Sequence, residues 1–315
     1  MNEFEVIRYP QMSGLNLFFD TVDYRTPHFH PEWELILLME HSLSITCGQR
    51  QYLAKAGDLV LFSPNQPHEF HKVGESCTFL CLQLSSQSVA QIFPSIERIT
   101  VESLFPREHL SEKDCRQIKT TVLNMADVYL RRDTCYELYC VGQAHLLLHR
   151  LICGMPHHIL SSGELSSRDK SNARLNRLIR FVDENYMRKI RLTDFAESEG
   201  RSVSYLSHFI KDTLNQSFQE YVNTVRFNCA CKLIASGQEK MLDVCMESGF
   251  SDYRYFTRTF REQVGMTPEQ YRRQMEQARQ NTAAVKHSLH SLERFYTREQ
   301  SLALLNRFFA QRTTG

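Results

Sequence analysis

No stretch of the sequence approaches eighteen consecutive apolar residues, which argues against a membrane-spanning helix. The first ten residues, MNEFEVIRYP, lack a basic segment followed by an apolar run, so no secretory leader is expected. Ten cysteines are present without a regular framework, and the closest pair, Cys229 and Cys231, has the wrong spacing for a zinc knuckle. A reduced, cytoplasmic compartment is the simplest expectation, with no membrane partner. A phosphate-cradling glycine loop, an acylating nucleophile in a familiar context and paired catalytic carboxylates are also missing. The sequence therefore gives no general case for an enzyme.

The 315 residues exceed one comfortable small domain, and 42% hydrophobic residues are enough to bury two cores. The net charge of +1 hides an asymmetry. Residues 1–170 hold 15 Lys and Arg against 20 Asp and Glu, whereas residues 171–315 hold 22 against 16. A polyanionic partner is thus expected for the second half only.

The front reads as strands. GLNLFFDTV, EWELILLM, SLSITC, DLVLFSP and CTFLCLQL are short apolar or alternating runs separated by turn residues, the pattern of a barrel or jelly roll. Between Ser111 and Ile152 the apolar spacing becomes helical, with a break near Arg132–Asp133, which predicts an antiparallel helical hairpin over about 111–152. The polar, Gly- and Ser-containing segment 153–172 reads as a linker. Residues 173–274 read as helix throughout, and a tail over 275–315 carries further helical patterning. The expected class is α+β in two domains: an N-terminal antiparallel β-barrel over 1–152 that includes the hairpin, and a C-terminal all-α domain.

The helical half repeats itself. At an offset of fifty, Tyr205, Leu206, Ile210, Lys211, Ser217 and Tyr221 match Tyr255, Phe256, Phe260, Arg261, Thr267 and Tyr271. Upstream the offset is forty-nine, pairing Phe195, Ala196 and Gly200 with Val244, Cys245 and Gly249. Each copy has a small residue, a glycine four positions later and a second amphipathic helix, which is helix-turn-helix grammar. On a helical wheel, Leu206, Phe209 and Ile210 form one apolar face, and Tyr253, Phe256 and Phe260 form its counterpart. Opposite them lie Ser204, Ser207, His208 and Lys211 in the first copy, and Arg254, Thr257, Arg258 and Arg261 in the second. Arginine pairs bidentately with guanine in the major groove, and the smaller polar side chains bond bases or phosphates.

The residues LTDFAESEGRSVSYLSHFIKDTLNQSFQEYV, RFNCACKLIASG and GFSDYRYFTRTFREQVGMTPEQYR resemble the DNA-binding domain of the AraC/XylS family of bacterial transcription regulators. The likeness spans nearly all of Arg174–Arg273. It implies two helix-turn-helix units joined by a helix over about Phe218–Ser236, and bases reached from Ser204, Ser207, His208, Arg254, Thr257 and Arg258. Asn215 stands where the family has glycine, Ile210 where it has phenylalanine and Cys245 where it has alanine. Asparagine also tolerates the left-handed turn.

In the front half, HFHPEWE sets His28, His30 and Glu34 in an HxHxxxE pattern, and GDLVLFSPNQPHEF adds His68. His28 and His30 share a face if the segment is a strand. Three imidazoles and a carboxylate match a ligand set for a divalent first-row metal. The order is similar to the two motifs of the cupin barrel, so a metal-dependent cupin enzyme, an oxygenase or isomerase, is the alternative. AraC-type regulators carry such a barrel as a sensor and usually bind an organic effector. The resemblance therefore implies an effector pocket near His28, His30, Trp33, Glu34 and His68, with Trp33 stacked on a sugar ring and no cofactor or metal. The family implies in addition a homodimer through the 111–152 hairpin. The expected partners are double-stranded DNA, a small-molecule effector, and RNA polymerase if the protein activates.

Overall fold

The computed structural model describes residues 12–236, 240–279 and 292–313. The segment MNEFEVIRYP, expected not to be a leader, lies outside the described residues.

Five strands open the chain: β1 (Leu15–His28), β2 (Glu32–Cys47), β3 (Arg50–Lys55), β4 (Leu59–Phe62) and β5 (His68–Ser85). The short helix α1 (Ser86–Ala90) and strand β6 (Ile99–Val101) lead to two long helices, α2 (Glu112–Arg131) and α3 (Tyr136–Gly154). Strand β7 (His157–Ile159) then pairs antiparallel with β6. Helices α4 (Ser162–Asn185), α5 (Leu192–Glu199), α6 (Val203–Leu214), α7 (Phe218–Ser236), α8 (Met241–Glu247), α9 (Tyr253–Val264) and α10 (Pro268–Arg279) follow. Strand β8 (Leu292–Phe295) and helix α11 (Arg298–Thr313) come last.

The main sheet is antiparallel, in the order β3-β2-β5-β1-β8, with β4 also paired to β2. Among the described residues the pairing does not close into a ring, so the expected barrel is a curled open sheet. EWELILLM and SLSITC, separate strands in the sequence pattern, are one strand, β2. The pattern broke where the strands bulge. His41 in β2 has φ 64° and Gly74 in β5 has φ 78°, beside register shifts that bend both strands without ending them.

Both faces of β2 are buried, which explains its near-continuous apolar sequence. Trp33, Leu35 and Leu37 face a core shared with α2 and α3, while Ile36 and Leu38 face an inner core with Val60, Phe62, Phe70 and Phe79. The helical hairpin forms as expected, and its break is Arg132 in the left-handed region at φ 60°.

Two expectations change. The 153–172 segment read as a linker is largely ordered, because Ser161 and Glu164 form a reciprocal capping box that starts α4 at Ser162. The 275–315 tail is not wholly helical. Residues 292–295 add β8 to the β1 edge of the sheet, and Leu304 and Leu305 of α11 bury against the hairpin side of the sheet. Glu293 brings its carboxylate to Arg25, with both Oε atoms 2.7 Å from Nη1.

The helical half has two cores. Leu175, Leu178, Ile179 and Val182 of α4 join Phe195, Leu206, Ile210 and the start of α7. The end of α7 joins α8, α9 and Tyr271 of α10.

Candidate nucleic-acid interface and buried histidine cluster

The two repeats fold as two copies of one unit. Helices α5 and α8 start at Leu192 and Met241, and helices α6 and α9 at Val203 and Tyr253, so the offsets of forty-nine and fifty survive in three dimensions. Ser202 caps α6 and Asp252 caps α9, each side chain accepting the backbone N–H of the tyrosine three residues on. The turn glycines Gly200 and Gly249 have φ of 59° and 85°. Both second helices end in the left-handed region, at Asn215 (φ 53°) and Gly265 (φ 71°), so asparagine serves where the family has glycine.

The aromatic faces point inward. Leu206, Ile210, Phe256 and Phe260 are fully buried, and the Phe256 and Phe260 rings meet edge-on at 5.1 Å. On the opposite side Ser204, Ser207, His208 and Lys211 are all exposed. So are Arg254, Arg258 and Arg261, with Thr257 half-buried among them. Arg254 and Arg261 have no carboxylate partner among the described residues. Arg258 lies 3.6 Å from Glu262 and over the Tyr255 ring. All eight residues of the two stripes thus stand on outward faces, as guanidinium, ammonium, imidazole and hydroxyl groups on rigid, capped helices.

The sheet holds a second polar concentration, entirely buried. His28, His30 and His68 each offer a nitrogen within 4.8 Å of the others, and each is 2–3% exposed. Register explains the meeting: His28 of β1 lies opposite His68 of β5, and Glu34 of β2 lies opposite Gln83 of β5. Glu34 accepts from Gln83 Nε2 at 2.8 Å and lies 3.0 Å from His30 Nε2 and 3.5 Å from His68 Nε2. Burial alone would raise the Glu34 carboxyl, but the two imidazoles outweigh it and hold it well below the usual carboxylate range. Burial, reinforced by His68, pushes His28 well below the usual histidine range, so its ring is neutral at neutral pH.

The structure separates one expected member from this group. Trp33 sits next to Glu34 on a strand, where alternation sends neighbours to opposite faces. Its indole packs against Leu82, Leu84, Ala144 and Leu148, in the core between sheet and α3. Sequence reasoning passed over Gln83 and Phe62, which complete the cluster. Phe62 stacks on His68 at 4.1 Å. Gln83 was visible as the lone amide in the apolar run CTFLCLQL, but only the strand register tells that it faces Glu34.

Comparison with known proteins agrees with this architecture. A model described as an AraC-like ligand binding domain matches residues 14–125, and a helix-turn-helix domain model matches residues 195–274, together more than half of the chain. An uncharacterized HTH-type transcriptional regulator of Bacillus subtilis, YbfI, is 25% identical over 226 residues, 71% of this chain and 78% of that protein. An uncharacterized HTH-type regulator of Staphylococcus aureus, SAS0078, is 22% identical over 196 residues, 62% of this chain. The chain spans only about a quarter (26%) of that longer relative. Among solved structures, fatty-acid-bound ToxT of Vibrio cholerae aligns with 84% of this chain and 97% of its own at 16% identity, TM-score 0.39. An AraC-like sensor module in front and a helix-turn-helix module behind, in the order that the fold displays, mark this chain as a member of the AraC family of regulators.

Proposed function

We propose that the protein is a sequence-specific DNA-binding transcription regulator whose sheet domain senses a small ligand. The observation that carries the reading is the pair of exposed polar stripes, each backed by a buried apolar face on a duplicated helix-turn-helix unit. Two such units entering successive major grooves would read two half-sites on one face of the duplex. Within the second unit, Arg254 and Arg258 are the guanine readers. Ser207 and His208 do the lighter reading in the first. A regulator accounts for the relatives' names, which describe transcriptional regulators, where a cupin oxygenase or isomerase would not.

A carbohydrate effector loses its main support, because Trp33 is unavailable for stacking and the room beside the histidines is small. The cavity bounded by His28, Glu34, Phe70 and Gln83 holds about 20 Å³, enough for water-sized occupants only. The hairpin remains the proposed homodimer contact, since α3 leaves Leu138 and Leu146 exposed at 76% and 59%. Binding of the full-length protein to promoter DNA of neighbouring genes tests the reading. Arg258→Ala should lose about 1–3 kcal/mol at the specific site and relax base preference there. Equal binding of both proteins to every sequence refutes base reading by this helix.

A further inference from the structure

The two helix-turn-helix copies carry a carboxylate at the same place and balance it differently. At the offset of fifty, His208, Lys211 and Asp212 correspond to Arg258, Arg261 and Glu262. Each carboxylate stands one helical turn beyond a member of the outward stripe, so it shares that face and would meet the polyanion. In the second copy the balance is local, because Arg258 Nε lies 3.6 Å from Glu262 Oε1 on the same helix. The first copy has histidine instead, and His208 Nδ1 donates back to Ser204 O at 2.7 Å. Lys211 is likewise turned along its own helix, with Nζ 3.2 Å from Asn215 O.

For Asp212 the balance comes from the sheet. Strands β2 and β3 are joined by a turn through Gly48 and Gln49, with Gly48 at φ 58°. Gln49 Nε2 donates to Asp212 Oδ1 at 2.7 Å, and a Cβ on Gly48 would lie 3.8 Å from Asp212 O. The next residue, Arg50, opens β3, is exposed and has no carboxylate partner among the described residues. The turn thus covers the acid with an amide and brings an arginine to the same end of α6.

Helix geometry indicates what that arginine would meet. Helix α6 has 12 residues, about 18 Å of length, more than the roughly 12 Å width of the major groove. With Ser204, Ser207 and His208 of its first turns on base edges, its last turn and Asp212 stand at the groove rim, where phosphates run.

We propose that Arg50 of the sheet domain is a phosphate contact in the DNA complex, positioned beside the first reading helix by the Gln49–Asp212 bond. The interface therefore extends beyond the helical half, and the sheet supplies the first unit with the arginine that its own helix lacks. This inference rests on the DNA-binding reading above.

Fluorescence anisotropy tests it with the full-length protein and Arg50→Ala, Arg50→Lys and Gln49→Ala. Each is titrated onto a duplex selected by the wild type and onto random duplex, over a series of salt concentrations. Arg50→Ala should bind both duplexes about fivefold more weakly near 0.15 M salt, and the slope of log K against log salt should shrink by roughly 0.9, the share of one phosphate. Arg50→Lys should keep the slope, since an ammonium also pairs with phosphate. Gln49→Ala should weaken both duplexes in the same salt-dependent way, and unchanged binding there overturns the positioning. Arg258→Ala serves as the control for base reading. Unchanged affinity and slope in Arg50→Ala, with Arg258→Ala impaired, overturn the phosphate contact and leave the DNA-binding reading standing. A gain in affinity in Arg50→Ala overturns it as well, because the turn then obstructs the duplex. A wild type that binds no duplex removes reading and contact together.

Discussion

The two turn glycines occupy equivalent positions in the repeat, yet the structure assigns them different tolerance. A Cβ at Gly200 would meet nothing within 4 Å, so Gly200→Ala suffers only the left-handed φ of 59°. That strain costs about 1–2 kcal/mol for a residue with a Cβ. At Gly249 the added carbon would lie 2.6 Å from Tyr186 O and 2.9 Å from Met187 Cα, both backbone atoms that no rotamer change can move. Displacing them should add roughly 1–3 kcal/mol to the same φ cost. It should also lift the second unit off the end of α4, where Arg226 already ties α7 to Tyr186 O and Arg188 O at 2.8 Å. Chemical denaturation of both variants, followed by helical circular dichroism, measures the difference. Gly249→Ala is expected to unfold at clearly lower denaturant than Gly200→Ala. Equal shifts, or the reverse order, would refute the packing argument.

Two further outcomes follow from buried charge. Glu199 accepts from Arg177 Nε and Nη2 at 2.5 and 2.9 Å, and chiefly that contact holds its carboxyl below the usual range. A depressed carboxyl stabilises the fold above its ordinary pKa and loses that contribution as pH falls through the lower folded value. Glu199→Gln should therefore cost about 0.5–1 kcal/mol at neutral pH and nothing in strong acid, measured as the pH dependence of the denaturation midpoint. Where the tail strand β8 meets β1, burial first and Glu293 second keep the Asp20 carboxyl well above its usual range beside the Arg25–Glu293 pair. Glu293→Gln should cost less than the about 3–5 kcal/mol of a broken buried pair, because Asp20 can ionise and take over Arg25. Adding Asp20→Asn should restore the full loss, and additive effects in the double-mutant cycle would contradict this exchange of partners.

Much of the architecture was legible because it rests on local rules. The helix-turn-helix repeat declares itself through glycine and apolar spacing, and the long joining helix falls on Phe218–Ser236 as expected. In the expected linker, Ser and Gly around position 162 suggest coil, whereas Ser161 and Glu164 together make a cap that starts α4. The tail's strand could not be foreseen. Leu292–Phe295 becomes a strand only because β1 offers it an edge, a long-range pairing with no trace in local pattern. At the histidine cluster, residue types and spacing found His28, His30, Glu34 and His68. They grouped Trp33 with these residues because it adjoins Glu34 in sequence, whereas strand alternation sends the two side chains to opposite faces of β2.

The central claim is that the two outward stripes read base pairs. Its most direct measurement is fluorescence anisotropy of the full-length protein on a selected operator and on random duplex, for wild type, Arg254→Ala/Arg258→Ala and Ser207→Ala/His208→Ala. Each double variant should lose affinity for the operator by at least about 1–3 kcal/mol, the second-unit variant most, while random-duplex binding changes far less. Operator and random affinities that fall together, or do not fall at all, would contradict it.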